Sequence, residues 1–309
     1  MRRRSAFRNR VEYALAVVVL KSLEWAPLAL AWRLGCLYAR VLDRALPRLR
    51  RVAERNLAFA LPELDEGGRT RVIDGVFRSV GRLLVTFARL PHIRRDNVDQ
   101  WIRYQGFEHF ERALCRGRGV MFATAHLGNW ELSAYAHALL AAPMYVLARP
   151  LDNPSIDALV ESRRALSGNH VILKRDFARV ILKALHDNQA VGILVDQNAS
   201  ADNGVFVDFF GVTACAGAGF ARLAAHSGAA VIPGFALWSE TERRYVLRFY
   251  EPLEVTGDVQ RDTQVLHRHL EGIIREYPDQ WLWVHRRWKT RPPGEPSLYE
   301  TAPLAGKAL

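Results

Sequence analysis

The pattern of apolar and polar positions changes in character near residue 119. Before it, apolar residues recur every three or four positions, as along Val76–Phe87, which is typical of helices. After it, short apolar runs alternate with segments of helical spacing. The predicted strands are the run from Gly119 up to His126, Met144–Ala148, Val171–Leu173, Ala190–Val195, Ala230–Leu237 and Tyr245–Tyr250. Strands separated by helices predict an α/β fold with a mainly parallel central sheet flanked by helices.

The chain divides into an N-terminal helical segment (1–45), an α/β domain (46–295) and a loosely ordered tail (296–309). Within the first segment, Val11–Leu42 is largely apolar, but charged residues and Pro27 interrupt it. A clean membrane-spanning helix needs about 20 apolar residues in succession. The segment predicts a membrane anchor, either one imperfect span or two interfacial helices that turn at Pro27. A buried pair of core helices is the alternative.

The composition favours a globular protein with anionic partners. Half of the 309 residues are hydrophobic, which excludes a disordered chain, and the net charge is +11. This charge indicates nucleic acid, an acidic membrane surface, or an acidic carrier or substrate. Residues Pro278–Pro292 interleave three tryptophans with basic residues, a pattern that suits nucleic acid or a membrane interface. The three cysteines lie far apart, which suits a reducing compartment.

Polar side chains directly follow three of the predicted strands: His126, Arg149 and Asp196. Because chemistry collects at the carboxyl ends of parallel strands, we expect them along one edge of the sheet. Glu131 follows His126 by five positions, in the first turn of a helix whose predicted N-cap is Asn129. A neutral imidazole with a carboxylate in reach can remove a proton from a hydroxyl. The alternative is a surface histidine beside a glutamate near a helix cap.

Other catalytic chemistries have weaker support in the sequence. No serine or cysteine stands in a nucleophile elbow, and no glycine-rich phosphate loop joins a strand to a helix. There is no HExxH motif and no paired histidine spacing, so we predict no metal site. What remains is base-assisted transfer of a group to a substrate hydroxyl, with cations stabilising negative charge.

The segment His126–Glu131, HLGNWE, resembles the HxxxxE signature of the lysophospholipid acyltransferase superfamily. Further blocks are similar to those of the lipid A biosynthesis acyltransferases, the late or lauroyl/myristoyl acyltransferase family. These blocks are Ala148–Arg164, Leu194–Asn198, Val207–Gly211 and Pro278–Pro292. The resemblance covers nearly the whole chain, and four blocks in the right order are far more specific than HxxxxE alone.

The resemblance implies transfer of a fatty acyl chain from an acyl carrier protein thioester to a hydroxyl of a lipid A precursor. The reaction would take place at the cytoplasmic face of the inner membrane, without a further cofactor. By family analogy, His126 is the general base and Glu131 orients it. Arg164 and Asp196 match positions that the family uses for activity, and we assign them to substrate binding. Arg149 would hold a phosphate or the thioester oxygen.

The expected partners are therefore the acyl carrier protein, a lipid A precursor or related glycolipid, and an anionic membrane surface, and not nucleic acid. Alternatives stay open at this point. In one alternative, the acceptor is another glycolipid, a phospholipid or an aminolipid, and the donor is an acyl carrier protein thioester or acyl-CoA. In others the protein is a nucleic-acid-binding module, or a lipid-binding relative without catalysis. The side chains of Phe206, Phe209 and Phe210 line an acyl-chain groove or are ordinary core aromatics.

Overall fold

A seven-stranded sheet forms the centre of the protein. The structure is a computed structural model, and it describes residues 5–173 and 177–299. In chain order, the strands β1 to β9 are Ile102–Gln105, Val120–Thr124, Tyr145–Ala148, His170–Leu173, Ala190–Leu194, Gly204–Phe209, Val212–Gly217, Ala230–Ser239 and Arg244–Phe249. The sheet has the order β1-β9-β8-β2-β5-β3-β4, while β6 and β7 pair with each other.

Most of the sheet is parallel, as predicted. Strands β8, β2, β5, β3 and β4 run in one direction. Strand β9 is antiparallel to β8 because the short connection 240–243 returns the chain directly beside it, and β1 pairs in parallel with β9. Successive side chains of β2 point to opposite faces, and both faces are buried. Phe122 belongs to the apolar cluster on one face and Met121 to the cluster on the other.

Helices cover the two faces of the sheet. In chain order, the helices α1 to α10 of the described residues are Ala6–Trp25, Leu28–Ala45, Pro47–Ala60, Glu66–Arg89, Phe107–Leu114, Trp130–Leu140, Pro154–Arg164, Phe177–His186, Gly219–Ser227 and Val259–Glu276. Helices α5 and α6 contribute to the apolar cluster on the Phe122 face, and α8, α9 and α10 to the cluster on the Met121 face. This arrangement confirms the predicted α/β fold with flanking helices.

The N-terminal segment folds as two helices, α1 and α2, which meet at Pro27. In the described part of the chain, no helix combines the length and the apolarity needed to cross a bilayer. Helix α2 crosses α4 closely at Gly35 and Gly81, where a Cβ on either would lie 2.8 Å from the other's carbonyl oxygen. A buried ion pair between Glu24 and Arg163, 2.6 Å from N to O, fastens α1 to α7. Both helices therefore pack directly onto the α/β domain.

A β-hairpin lies between the predicted strands Ala190–Val195 and Ala230–Leu237, in a region where the sequence predicted no strand. Strands β6 and β7 pair in antiparallel register, and Phe210 and Gly211 form the two-residue turn between them. Both turn residues have positive φ, 61° and 72°, as a type I′ turn requires. Phenylalanine is an unusual residue at such a position, so the turn was not recognisable. Phe209 and Phe210 are buried, which confirms the core alternative for these two aromatics.

Candidate active site

The turn after β2 places His126 at the carboxyl edge of the sheet. Gly128 has a φ of +64°, and a Cβ there would collide with the carbonyl oxygen of Ala236, so the turn requires glycine. Helix α6 begins directly afterwards. The side chain of Asn129 accepts a hydrogen bond from the Leu132 backbone N–H at 3.0 Å, which confirms the predicted N-cap.

Asp196 lies against His126 because β5 is a neighbour of β2. Thr124 and Leu194 pair across the two strands, and His126 and Asp196 each follow their strand by two positions. Nδ1 of His126 donates to Oδ1 of Asp196 at 2.9 Å, and the backbone N–H of His126 donates to Oδ2 at 3.0 Å. The Asp196 side chain is fully buried. Residues that follow neighbouring strands thus meet at one edge, as expected.

The surroundings of this pair determine its charges. Burial lowers the pKa of His126, but the charge of Asp196, the hydrogen bond to it and the charge of Glu131 together raise that pKa above its ordinary value. Burial raises the pKa of Asp196, but His126, His285 and Trp281 lower it well below its usual range. Asp196 is therefore ionised and accepts from Nδ1, so the neutral imidazole presents Nε2 as its basic nitrogen.

Glu131 has a different partner from the one that the sequence predicted. Its carboxylate forms a two-pronged ion pair with Arg164, with Nε to Oε2 at 2.9 Å and Nη2 to Oε1 at 2.5 Å. The sequence predicted that Glu131 orients His126; in the structure Nδ1 of His126 contacts Asp196, while the charge of Glu131 contributes to the raised pKa of the ring. The HxxxxE spacing marks a carboxylate close in sequence. The carboxylate of Asp196 is 70 positions away and is brought to His126 by the pairing of β2 with β5. This pairing cannot be recognised from the local sequence.

The predicted site residues converge on one cavity. His126, Glu131, Arg149 and Arg164 line it, and Asp196 lies behind His126. Arg149 directly follows β3 and is exposed, while Arg164 ends α7 and is partly buried. With Glu12 and Asp152, which also line the cavity, the site combines an imidazole, two guanidinium groups and several carboxylates.

The cavity has a volume of about 940 Å³ and an apolar interior. Its inner wall lies between the sheet and α6, and it is lined by Leu90, Phe122, Met144, Val146, Leu247 and Phe249. Gly192 of β5 and Gly234 of β8 also line the cavity; the Met144 side chain packs against Gly192, whereas Gly234 leaves space. Phe122 precedes His126 by four residues, so the cavity extends roughly 13 Å along the strand direction. This volume lies at the upper end of the range of small-molecule sites.

The tryptophans of segment 278–292 are buried, so they do not form the exposed aromatic surface that was predicted to meet nucleic acid or a membrane interface, although Arg286 and Lys289 are exposed. Trp281, Trp283 and Trp288 have no exposed surface. The indole N–H of Trp281 donates to Oδ2 of Asp196 at 2.8 Å. The contact between Trp281 and Asp196 was not predicted from the sequence. The one indication that this segment matters was that Pro278–Pro292 is among the blocks that resemble the acyltransferase family.

Fold and site together define a class of protein. A buried acid–histidine pair at the mouth of an apolar cavity is suited to activating a hydroxyl group beside a substrate with an apolar chain. Across residues 5–173 and 177–299, no group of three or more His, Cys, Asp or Glu side chains is arranged to hold a metal ion. The fold and this site are therefore typical of an α/β enzyme that acts on lipid-like substrates.

Comparison with known proteins assigns the family. The family model described as bacterial lipid A biosynthesis acyltransferase matches residues 2–290. The chain belongs to this family and is an O-acyltransferase. The resemblance inferred from the sequence blocks is confirmed.

Three relatives that are named for different acyl groups are similar to this chain over most of their length. The lipid A biosynthesis lauroyltransferase of Escherichia coli K12 is 29% identical over 288 residues, which cover 92% of this chain and 94% of that protein. The palmitoleoyltransferase of the same strain is 31% identical over 283 residues, covering 89% and 91%. The myristoyltransferase is 23% identical over 257 residues, covering 82% and 80%.

Proposed function

We propose that the protein transfers a fatty acyl chain from an acyl carrier protein thioester to a hydroxyl of a lipid A precursor. The observation that carries the proposal is the hydrogen-bonded pair of His126 and Asp196 at the mouth of a cavity with an apolar interior. The pair supplies the base, and the interior supplies room for a hydrocarbon chain. The printed names of the relatives support the acceptor and the acyl class.

In this mechanism Nε2 of His126 accepts the proton of the acceptor hydroxyl. The oxygen then attacks the thioester carbonyl carbon, a C–O bond forms, and the C–S bond breaks. The imidazolium returns its proton to the departing thiolate, so no covalent enzyme intermediate is needed. Asp196 holds the ring and stabilises its charged form. A base of this kind contributes about a hundredfold to ten-thousandfold in rate.

The two arginines at the mouth bind the anionic parts of the substrates. Arg164 is held in a fixed direction by Glu131, and its burial makes it suited to negative charge that develops near His126. Arg149 is exposed and suits an acceptor phosphate. The net charge of +11 also favours an acidic carrier protein as the donor.

We further propose that α1 and α2 lie in the cytoplasmic interface of the inner membrane. Exposed apolar side chains on the two helices are Phe7, Val11, Leu15, Val18, Trp25, Leu28, Leu30, Leu37 and Val41. The spacing of the first four places them on one face of α1. The side chain of Asn153 donates to the Asn9 carbonyl at 2.9 Å, and Glu12 lines the cavity, so α1 lies beside the mouth. A lipid acceptor would then reach His126 from the bilayer surface.

The reaction is tested with purified protein, acyl carrier thioesters and acyl-CoA of several chain lengths, and lipid A precursors, with products read by mass spectrometry. The expected product is a precursor with one additional acyl ester, formed from the carrier thioester. His126→Ala should abolish transfer, whereas His186→Ala, at an exposed position on α8, is the matched control. Acylation of another lipid but not of the precursor would contradict the proposed identity of the acceptor. Full activity of His126→Ala would overturn the mechanism.

Membrane binding is tested separately with vesicles that contain an anionic phospholipid. Replacing Leu15 and Val18 by glutamate removes apolar surface and adds negative charge on the exposed face of α1, so binding should weaken at least tenfold. Unchanged binding of this double variant would contradict the proposed orientation of α1. Activity on a detergent-dispersed acceptor distinguishes lost binding from lost folding.

A further inference from the structure

The carboxylate of Asp196 has a donor besides the two that His126 provides. Its Oδ2 accepts the indole N–H of Trp281 at 2.8 Å, and both side chains are fully buried. Donors on both oxygens fix the plane of the carboxylate, and hence the direction in which Oδ1 faces Nδ1 of His126. Hydrogen bonds to an ionised acceptor are also stronger than those to a neutral one.

Backbone pairing brings Trp281 to this position. Leu127 and Trp281 form an isolated antiparallel bridge. The Leu282 N–H donates to the His126 carbonyl at 3.0 Å, and the Gly128 N–H donates to the Gln280 carbonyl at 2.9 Å. The C-terminal segment therefore runs alongside the turn that carries His126. The same short pairing fixes the histidine backbone and the indole that reaches the aspartate.

We propose that Trp281 is a positioning residue for acyl transfer, which acts through Asp196 on the orientation and basicity of His126. The inference rests on the proposed role of His126 as the base. The indole N–H stabilises negative charge on Oδ2, so Oδ1 draws the Nδ1 proton less strongly. Without this donor the carboxylate would stabilise the imidazolium more and would be free to rotate. The base would then be both misaligned and protonated at higher pH.

Trp283 provides a matched control within the same segment. It is equally buried, its ring centroid lies 4.5 Å from that of Trp281, and its indole N–H also makes one hydrogen bond. That bond goes to the Pro278 carbonyl at 2.7 Å and not to Asp196. Trp281→Phe and Trp283→Phe therefore remove the same atoms and one indole N–H hydrogen bond each, and only the first of these bonds goes to the carboxylate.

Other titratable groups around the pair are the same in both variants. Glu131 faces it from α6, His267 from α10, and His285 and Arg287 from the C-terminal segment. Burial lowers the pKa of His267 to about 4, and burial also lowers the pKa of His285. A buried imidazole that titrates above about 6.5 in this region therefore reports on His126.

The primary test is an NMR titration of the His126 ring in the full chain labelled with ¹⁵N-histidine, without substrate. In Trp281→Phe the pKa of His126 should rise by about half a unit to one unit, because the carboxylate has lost a donor. In Trp283→Phe it should remain as in the wild type. An unchanged His126 pKa in Trp281→Phe, or equal rises in both variants, would overturn the proposal.

Kinetics give the second readout. In Trp281→Phe we expect kcat to fall about tenfold with the KM for the acyl donor unchanged, by analogy with outer-shell partners of metal-bound histidines, whose loss costs about 10- to 100-fold. The deficit should be larger at pH 6 than at pH 9, because less of the base is neutral at low pH. Trp283→Phe should lose thermal stability and keep its kcat. Equal kinetic losses in the two variants would contradict a positioning role.

A measurement on the wild type covers the case in which Trp281→Phe does not fold. The indole N–H resonance of Trp281 should shift with pH in step with the His126 ring, since Asp196 connects them, while that of Trp283 should stay constant. A constant Trp281 resonance would overturn the proposal. If the wild type showed this coupling but no acyl transfer, the proposed function would fail while the hydrogen-bonded connection would stand.

Discussion

Two histidines line the same cavity, and their pKa values are shifted in opposite directions. His126 at the mouth faces the ionised Asp196, and its pKa is raised above the ordinary value. His137 on α6 packs in the interior against Phe110 and Phe122, with ring centroids at 4.8 and 5.1 Å. Within the described residues neither of its ring nitrogens has a hydrogen-bond partner, and burial lowers its pKa to about 4.

The difference shows that the mouth of the cavity holds the reactive groups, whereas the interior provides the shape into which a substrate chain fits. Charged groups are concentrated at the mouth, where strands end and polar side chains can be paired. In the interior even a histidine stays neutral. Burying an ionised group there would cost free energy, whereas burying a hydrocarbon chain would not. Substitutions at the mouth should therefore change the rate and its pH dependence, and substitutions in the interior should change which chain is accepted.

After removal of the imidazole itself, the largest effect is expected for Asp196→Asn at the mouth. The amide can offer an N–H to Nδ1, which favours the tautomer that carries its proton on Nε2 and cannot act as the base. By analogy with other acid–histidine pairs, kcat/KM should fall by about 10³ to 10⁴. The measurement is steady-state transfer from an acyl carrier thioester. Asp208→Asn, at an exposed position of β6, is the control, and similar losses in both would argue against the assigned role.

A smaller effect is expected for Gly234→Leu in the interior. A Cβ at this position would lie 3.8 Å from both Phe122 and Phe249, so it fits without collision and the rest of the side chain enters the cavity. The ratio of activity on long to short acyl thioesters should fall by about 10- to 100-fold. The acid limb of the pH profile should not move. Gly272→Leu, in open space on α10, is the control, and an unchanged chain-length profile in Gly234→Leu would place the chain elsewhere.

Glu131→Gln tests the second carboxylate at the mouth. The glutamine can still accept from Arg164, but the lost charge loosens the ion pair, and we expect about a tenfold fall in kcat/KM. The charge of Glu131 contributes to the raised pKa of His126, so its removal should lower that pKa. Because the neutral imidazole is the active form, the acid limb should move to lower pH, opposite to the shift expected for Trp281→Phe. A shift to higher pH would contradict this assignment.

Much of the fold could be predicted because its strands and helices have strong local patterns. Short apolar runs ending in polar residues identified the edge of the sheet and brought out His126, Arg149 and Asp196 as site residues. Their grouping followed from parallel strand direction alone. Which carboxylate contacts His126 depended on β5 lying next to β2, and strand order is set by tertiary packing. Glu131, the nearer carboxylate in sequence, was therefore predicted at the contact that Asp196 makes in the structure.

Burial was harder to predict than secondary structure. The apolar residues of α1 and the tryptophans of 278–292 are both accompanied by arginines, so the sequence predicted a membrane anchor for the first segment and a nucleic-acid or membrane interface for the second. Phe7 is 77% exposed, whereas Trp281 has no exposed surface. Composition describes a segment by itself, but burial depends on the surface it meets. The segment 278–292 packs beside the His126 turn and the β6–β7 hairpin, and this hairpin was itself missed.

The smallest effect at neutral pH, and the sharpest test of the neutral interior, is expected for His137→Phe. In the folded protein the pKa of His137 is about 4, whereas in the unfolded chain it is close to 6.5. The unfolded chain therefore binds a proton first as the pH falls, and the wild type loses stability through this residue between about pH 6.5 and pH 4. The phenylalanine variant lacks this loss. At pH 7 the contribution of this titration should be only a few tenths of a kcal/mol.

Between pH 7 and pH 5 the free energy of unfolding should decrease in both proteins. The same linkage predicts that the decrease is about 2 kcal/mol smaller in His137→Phe than in the wild type. Urea unfolding of both proteins at the two pH values measures this difference. A single ring replacement of similar size keeps the packing against Phe110 and Phe122 comparable. Parallel loss of stability in the two proteins would mean that His137 takes up its proton in the folded state. The interior of the cavity would then tolerate charge, and the contrast with the mouth would have to be abandoned.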